Sequence, residues 1–235
     1  MKPILEYIIS KSAKRYIIKA TNYTIREIVK DELDKSGHDV DLNHINVSSV
    51  TNMNNLFSCF GDDLGTKYKD LNPDISSWDV SKVRNMQNMF ALCEKFDCDI
   101  SKWDVGNVED MLGMFNCCFN FNQDISSWHV DKVKDMGCMF QRCEKFNQDI
   151  SGWNVSNVEN MELMFYNCKN FNQDISSWNV SKVDKMRYMF KGCENFYQDL
   201  YNWNTKDQID YTGCFENCPN MMRQGKYWPH KFNWM

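Results

Sequence analysis

Aspartate recurs every 25 residues through the middle of the 235-residue chain, and carboxylates with this spacing could hold a row of cations. The row comprises Asp74, Asp99, Asp124, Asp149, Asp174 and Asp199. If equivalent residues stack, the like charges repel, so each carboxylate requires a cation or hydrogen-bond donors nearby. Calcium prefers oxygen ligands, and some repeat proteins stack calcium sites. The glycine-rich nonapeptide of those proteins is absent, so turn amides are the favoured donors and no metal site is predicted.

Six of the eleven cysteines form a second row with the same spacing. They are Cys93, Cys118, Cys143, Cys168, Cys193 and Cys218. Neighbours in such a stack would lie one strand spacing apart, roughly 4.8 Å, which is within reach of a disulfide. We favour buried thiols, because cysteine packs as a small hydrophobe and an odd total leaves one cysteine over whatever the pairing.

The motifs of the common enzyme classes are absent from the chain. Cys138, Cys143 and His129 would form a zinc site only if the fold brought them together, and their spacing gives that little support. Cys59 and Cys98 lie outside the cysteine row and are the candidates left for a lone nucleophile. The chain is therefore predicted to be no enzyme, with no catalytic residue and no cofactor.

A 25-residue unit positions these rows. Its copies begin at Leu71, Phe96, Phe121, Phe146, Phe171 and Phe196, with no residue gained or lost between them. Tandem repetition this strict predicts a solenoid, in which each repeat stacks on the next and equivalent residues form one continuous core. Residues 71–220 are assigned to the six repeats, with tryptophan, cysteine and paired methionines turned inward.

The spacing within a repeat predicts a short strand followed by a short helix. Trp178 and Val180 are two residues apart, as on one face of a strand, so a strand is expected from Ile175 to Val180. Apolar residues then recur at steps of three and four from Val183 to Phe190, which is helical periodicity. The predicted fold is an α/β solenoid of such repeats.

The segments on either side of the repeats are predicted to cap the stack. Residues 1–40 form an N-terminal cap, with a helix over Lys2–Ala13, a strand at Tyr16–Lys19, and a second helix that begins at a capping box, Thr24–Glu27, and ends at Gly37. Residues 41–70 read as a degenerate first repeat with an insertion loop around Gly61–Asp70.

Residues 221–235 are predicted to be a C-terminal cap that covers the last repeat. The segment carries Tyr227, Trp228, Phe232 and Trp234, which is enough aromatic surface for that purpose. A peptide-binding or membrane-touching patch is the alternative use of these four side chains. The cap is favoured because an open end of a stack exposes both apolar core and unpaired backbone.

Two motifs of the repeat resemble known families. Ile-x-x-Trp-x-Val is similar to the strand motif of leucine-rich repeats, and Met-Phe-x-x-Cys-x-x-Phe resembles the signature of their BspA-like class. The whole unit, over residues 41–218, is similar to the repeat of BspA-family surface proteins and mycoplasma lipoproteins, catalogued as DUF285, a domain of unknown function. The resemblance implies a right-handed, leucine-rich-repeat-like solenoid that contacts other proteins or surfaces, and it implies no reaction.

The charge and hydropathy of the chain limit the classes of partner that need to be considered. The net charge of −5, with charged residues of both signs well mixed, favours neither nucleic acid nor an anionic membrane. No apolar run approaches the roughly 18 residues of a membrane span, and the N-terminus does not resemble a signal peptide. We expect a cytoplasmic protein as the sequence is written, or a surface or secreted one if a leader has been removed.

The leading hypothesis is a non-catalytic scaffold that binds a protein partner through the positions that the repeat leaves free. The candidate binding residues are the row after the tryptophans, Asp79, Asp104, His129, Asn154, Asn179 and Asn204, together with the outward Tyr166 and Tyr188. A structural protein that associates with itself end to end is the alternative. An enzyme or a metal-binding protein is disfavoured.

Overall fold

The computed structural model describes residues 7–9, 16–58, 69–222 and 228–229 of the chain. Its regular elements within these ranges are β1 (Tyr7–Ile9), β2 (Tyr16–Lys19), α1 (Ile25–Ser36), β3 (Ile45–Asn46) and α2 (Pro219–Met222). The strands form one sheet in the order β1-β2-β3, in which β2 is antiparallel to β1 and parallel to β3. The described repeats between β3 and α2 contain neither helix nor strand.

The structure confirms some of the predictions for the N-terminal segment and contradicts others. A helix over Lys2–Ala13 is wrong at Tyr7–Ile9, which is a strand paired with β2 because its β-branched residues suit a sheet. The predicted strand at Tyr16–Lys19 is confirmed. The second helix also forms, but its capping box does not, since Thr24 makes no side-chain cap hydrogen bond. Gly37 ends that helix as predicted, with a φ of 87° and its N–H bonded to the Leu33 carbonyl.

The N-terminal segment covers the edge of the first repeat. The backbone N–H of Ala20 donates to the Asn46 carbonyl at 2.9 Å, which extends the pairing of β2 with β3. The Asn22 side chain accepts from the N–H of Thr51 at 2.8 Å, and Arg26 donates to the Asn55 carbonyl at 3.0 Å. The N–H of Thr51, whose counterpart Arg84 donates to the preceding repeat, is therefore satisfied by the segment before the first repeat.

Successive repeats are joined by a parallel ladder of backbone hydrogen bonds. Alternate residues of one repeat, from Met86 to Leu92, donate their N–H groups to residues 110–116 of the next at 2.7–2.9 Å. The residues between them close tight turns within the repeat, as from the N–H of Met89 to the Met86 carbonyl at 3.1 Å. Isolated parallel bridges 25 residues apart mark the same register, as between Asp110 and Asp135. Each repeat is thus a chain of turns whose remaining donors bond the neighbour.

The predicted helix from Val183 to Phe190 is wrong. The N–H groups of Met186 and Phe190 donate to the following repeat, so they cannot form the i→i−4 bonds of a helix. Tyr188 between them has a φ of 54°, which also interrupts a right-handed helix. The apolar steps of three and four residues arise from consecutive turns, each of which returns one side chain to the core.

The predicted strand from Ile175 to Val180 is also wrong. The N–H of Trp178 turns back to the Ile175 carbonyl at 3.1 Å, so this segment forms a turn. Spacing by two residues nevertheless turns both Trp178 and Val180 inward, and they are 4% and 1% exposed. The α/β description of the repeat is corrected accordingly, while the solenoid and its handedness stay predictions.

Like residues lie directly over one another in the core. Trp128 and Trp153 stack with ring centroids 6.4 Å apart and planes 3° apart. The indole N–H of Trp128 donates to the Ile100 carbonyl of the preceding repeat at 3.2 Å. The thiol of Cys168 donates in the same way to the Phe140 carbonyl at 2.8 Å. The tryptophan and cysteine rows therefore fill space and also satisfy buried carbonyl groups.

The prediction of buried thiols holds for the cysteine row, whose six members are thiols and not disulfides. The row from Cys93 to Cys218 is fully buried. Burial raises the pKa of Cys143, Cys168 and Cys193 well above its usual value, and that of Cys218 to about 12. These thiols are protonated hydrogen-bond donors at neutral pH.

Two predicted features fall largely outside the described residues. The insertion loop around Gly61–Asp70 overlaps residues 59–68, which are not described, and Cys59 lies there too. Of the four aromatic residues in the predicted C-terminal cap, Tyr227, Phe232 and Trp234 are not described. Trp228 is described, and its ring lies 5.0 Å from that of Phe215 in the last repeat.

The aspartate row forms Asx turns within each repeat, as predicted. Asp149 accepts the N–H of Ser151, two residues on, at 2.9 Å, and the other five aspartates make the equivalent bond. Hydrogen bonds from the serine hydroxyl and then from the serine N–H lower the pKa of Asp99, Asp124, Asp149 and Asp174. The carboxylates are exposed and held by turn donors.

Replacement of these aspartates by asparagine should make the free energy of unfolding depend less on pH in the acid range. Because the folded pKa lies below the unfolded value of 3.8, the stabilisation is complete above that pH and is lost as pH falls through the folded pKa. We expect the variant Asp99→Asn, Asp124→Asn, Asp149→Asn, Asp174→Asn to keep the turns and to lose less stability than the wild type as the pH falls below about 5. Urea unfolding at several pH values measures this.

Asp110 is left unchanged in that variant, because burial raises its pKa and its effect on stability has the opposite sign. An equal loss of unfolding free energy in both proteins on acidification would show that the row contributes nothing through its charge.

Candidate functional site

The tryptophan-adjacent row, which is the first group of predicted binding residues, is exposed along its whole length. It comprises Asp79, Asp104, His129, Asn154, Asn179 and Asn204. Four of the six side chains are already engaged as acceptors in Asx turns, as when Asp104 accepts the N–H of Gly106 at 3.0 Å. Hydrogen bonds from the hydroxyl and the N–H of Ser81 lower the pKa of Asp79. Turn formation explains most of this row without a partner.

Tyr166 and Tyr188 lie elsewhere, together in one open groove. We call it the tyrosine groove, and its volume is about 530 Å³. It is lined by Gln141, Arg142, Glu162, Leu163, Tyr166, Asn167, Tyr188 and Lys191, which come from three successive repeats. The structure therefore brings two of the eight predicted residues together and separates them from the tryptophan-adjacent row.

Two positions in every regular repeat have left-handed backbone, and both contribute to the groove. One row contains Asn88, Gly113, Cys138, Leu163, Tyr188 and Gly213, and the other contains Leu92, Cys117, Arg142, Asn167, Gly192 and Asn217. The φ values lie between 51° and 76°. The turns of the repeat impose this conformation, for which glycine and asparagine are the residues best suited.

Three residues of the groove depart from that preference. Arg142, Leu163 and Tyr188 have φ values of 60°, 58° and 54°. A left-handed conformation costs a residue with an ordinary side chain about 1–2 kcal/mol relative to a right-handed one. Strain of this kind is found at functional sites, where the side chain rather than the backbone is required. The sequence thus keeps large side chains in the groove where small ones would fold with less strain.

The Tyr188 ring is fixed from below and from both sides. It lies over the backbone of Gly213, where an added Cβ would overlap the ring. The cationic groups of Lys191 and Arg187 lie 5.0 and 5.6 Å from the ring centroid, within the range of cation–π contacts. A preorganised aromatic side chain loses little conformational entropy when a partner packs on it.

Charges of both signs surround the two tyrosines. Lys191 pairs with Glu216 at 2.8 Å, and the hydrogen bond that the lysine donates to Glu216 raises the pKa of Lys191. Arg187 lies 3.9 Å from Glu162 and 3.6 Å from Asp210. Pairs this exposed contribute little to stability. Their effect in the groove is to hold polar groups at its rim, around an aromatic centre.

The backbone under the groove is held by the ladder. The N–H of Leu163 donates to the Arg187 carbonyl at 2.9 Å, and the N–H of Asn167 donates to the Lys191 carbonyl at 2.8 Å. The N–H of Arg142 donates to the Tyr166 carbonyl at 2.7 Å. The side chains of the groove therefore project from fixed turns, which suits recognition by a preformed surface.

Sequence reasoning missed Arg142, Lys191 and the other polar residues of the groove. The signal was present in the left-handed row, which reads Asn, Gly, Cys, Leu, Tyr, Gly from position 88 onward. The departures from glycine and asparagine at positions 163 and 188 of that row lie in the groove, whereas the departure at position 138 lies outside its lining. These departures can be recognised only once the backbone conformation is known.

The chemistry available in the described residues is limited. No group of three or more His, Cys, Asp or Glu residues among them is arranged to hold a metal ion. Burial raises the pKa of Cys98, which lies off the cysteine row, and it raises that of Cys138 to about 11. Neither thiol is a ready thiolate. None of the helices in the described ranges is long and apolar enough to cross a membrane.

Comparison with known proteins agrees with the repeat pattern. A family profile described as "Mycoplasma protein of unknown function, DUF285" matches residues 29–149 and again residues 129–228. No curated protein and no solved structure matches the chain. The two family matches together span most of the sequence, from within α1 to the segment after the last repeat. The chain belongs to the DUF285 family of mycoplasma proteins of unknown function.

Proposed function

We propose that the protein is a non-catalytic repeat scaffold, a solenoid in architecture, which binds a protein partner through the tyrosine groove. The observation that carries the proposal is the retention of Arg142, Leu163 and Tyr188 at left-handed backbone positions. Asparagine or glycine occupies six of the twelve positions in the two rows, Asn88 and Gly192 for example, so the turn itself requires none of the large side chains. Leu92, Cys117 and Cys138 also depart from that preference and lie outside the groove lining.

The composition of the groove supports a protein as the partner. Tyrosine and arginine are the residue types enriched at the energetic centres of protein interfaces, and both line the groove. Tyr166 and Tyr188 are half-buried, so part of each side chain stays exposed for contact. Charged groups at the rim, Glu162 and Lys191 among them, would fix the orientation of the partner.

Leu163→Asn should stabilise the protein. Asparagine tolerates the φ of 58° at this position, as Asn88 does in the same row, so we expect the free energy of unfolding to rise by about 1 kcal/mol. Leu112→Asn is the matched control, because Leu112 is equally half-buried and has ordinary backbone. Urea unfolding measures the stability of both variants. Equal losses of stability in the two would show that leucine causes no backbone strain at position 163.

Peptide selection tests the groove directly. Peptides of about 12 residues are selected on the wild-type protein from a displayed random library, and their affinity is measured for variants. We expect Tyr166→Ser, Tyr188→Asn to weaken binding roughly 30-fold, which corresponds to the loss of about 2 kcal/mol from an interface centre. The replacement of Tyr188 by asparagine suits the left-handed backbone and preserves the fold.

Asn154→Ala, Asn179→Ala in the tryptophan-adjacent row is the matched control, and these changes should leave peptide binding within about twofold. The proposal would be contradicted by selected peptides that bind the tyrosine variant as well as the wild type, or that lose affinity for the control variant. Either result would show that the peptides bind a surface other than the tyrosine groove.

A further inference from the structure

Arg142 is the one charged residue of the groove lining that has no charged partner within the described part of the chain. The lining contains two other charged residues, and both are paired: Glu162 lies 3.9 Å from Arg187, and Lys191 lies 2.8 Å from Glu216. None of the described carboxylates lies within 4.0 Å of the Arg142 guanidinium. The tyrosine groove therefore contains one positive charge that no ion pair among these residues offsets.

The guanidinium of Arg142 is oriented by uncharged neighbours. Its carbon lies 5.3 Å from the centroid of the Phe119 ring, within the range of cation–π contacts. Burial raises the pKa of the Cys117 thiol, and the charge of Arg142 and a hydrogen bond between the two side chains oppose that increase. Arg142 is nevertheless exposed, and its guanidinium has several N–H donors. These contacts fix the direction of the group and leave donors available to a ligand.

The charge of Arg142 is unusual for its place in the repeat. The other eleven residues of the two left-handed rows are uncharged, and Asn167 and Gly192 occupy the next two places in the row of Arg142. Asparagine at position 142 would remove the backbone strain together with the charge. A strained arginine in this row is explained if its guanidinium binds a ligand.

A single unpaired arginine suits a carboxylate better than a phosphate. A guanidinium can bind either group through two parallel hydrogen bonds. A phosphorylated residue carries about two negative charges and is generally recognised by a cluster of basic side chains. The other cations at this groove, Lys191 and Arg187, are already paired with Glu216 and Asp210 of the chain itself. The complementary group on a ligand is therefore one carboxylate.

We infer that the segment bound in the tyrosine groove carries an acidic side chain, aspartate or glutamate, that pairs with Arg142. The inference rests on the proposed function, because it names the chemistry of the partner at the same groove. Arg142 belongs to the first of the three repeats that form the groove, and Tyr188 belongs to the third. At one strand spacing for each repeat, the two positions lie about 10 Å apart along the stack. The acidic residue thus lies at one end of the bound segment, and the residues that pack on Tyr188 lie at the other.

The probes are the peptides selected on the wild-type protein from the displayed library. We expect aspartate or glutamate at a shared position roughly threefold more often than in the unselected library, because the groove has one cation to pair. One selected peptide is then synthesised with this residue either acidic or replaced by its amide, Asp→Asn or Glu→Gln. Titration of the full chain with both forms gives the factor in affinity that the carboxylate contributes.

We expect the amide form to bind the wild-type protein roughly tenfold more weakly than the acidic form, and both forms to bind Arg142→Asn within about twofold of each other. Asparagine suits the left-handed backbone at position 142, as it does at Asn167 in the same row, so the variant keeps the fold. Lys145→Asn is the matched control. It removes one positive charge at an exposed residue outside the groove lining and should preserve the roughly tenfold difference.

The possible results separate this inference from the proposed function. Peptides that lose affinity for Tyr166→Ser, Tyr188→Asn but show no enriched acidic residue, or bind equally well as the amide, would overturn the inference alone. A difference between the two peptide forms that persists in Arg142→Asn, or disappears in Lys145→Asn, would also overturn it, because the carboxylate would then interact with another charge. Peptides that bind the tyrosine variant as well as the wild type would contradict both proposals.

Discussion

The structure depends on one arrangement of the backbone, in which alternate N–H groups of a repeat close its turns and the others bond the next repeat. Phe140, for example, donates to the Met164 carbonyl at 3.0 Å, while Met139 before it donates to Met136 within the repeat. Both sets of bonds require a fixed length of the ladder segment, because one residue inserted there would exchange the two sets. The first repeat pairs with the next at a spacing of 33 residues, as between Asn52 and Asn85, and keeps the ladder. The invariant 25-residue spacing follows from this requirement.

The same arrangement selects the residue types of the core. Carbonyl groups that point inward would be unsatisfied, and the Trp128 indole and the Cys168 thiol each supply a donor while filling space. Leucine in place of tryptophan, as in ordinary leucine-rich repeats, would fill part of the space and leave the carbonyl without a donor. In a stack of such layers each repeat is stabilised only by its nearest neighbours. The two end repeats lack one neighbour and must be covered by other segments.

Much of this was accessible from the sequence. The register of the repeats, the inward tryptophan and cysteine rows and the Asx turns of the aspartate row follow from strict spacing and ordinary side-chain chemistry. The helix from Val183 to Phe190 was mispredicted, because a run of turns returns side chains to the core at the same intervals of three and four residues as a helix. Tyr166 and Tyr188 of the tyrosine groove were predicted, whereas Arg142, Leu163 and Asn167 are recognised by left-handed backbone, which spacing does not reveal.

The inward rows of this chain are uniform, whereas the left-handed rows vary around Leu163 and Tyr188, where we propose that a partner binds. The stacking of the repeats depends on hydrogen bonds that run from one repeat to the next. Scalar coupling across a hydrogen bond, measured by NMR on deuterated protein, identifies the acceptor of a given amide. The account predicts coupling between the nitrogen of Phe140 and the carbonyl carbon of Met164. Coupling of Phe140 to Met136, four residues before it as in a helix, would contradict it.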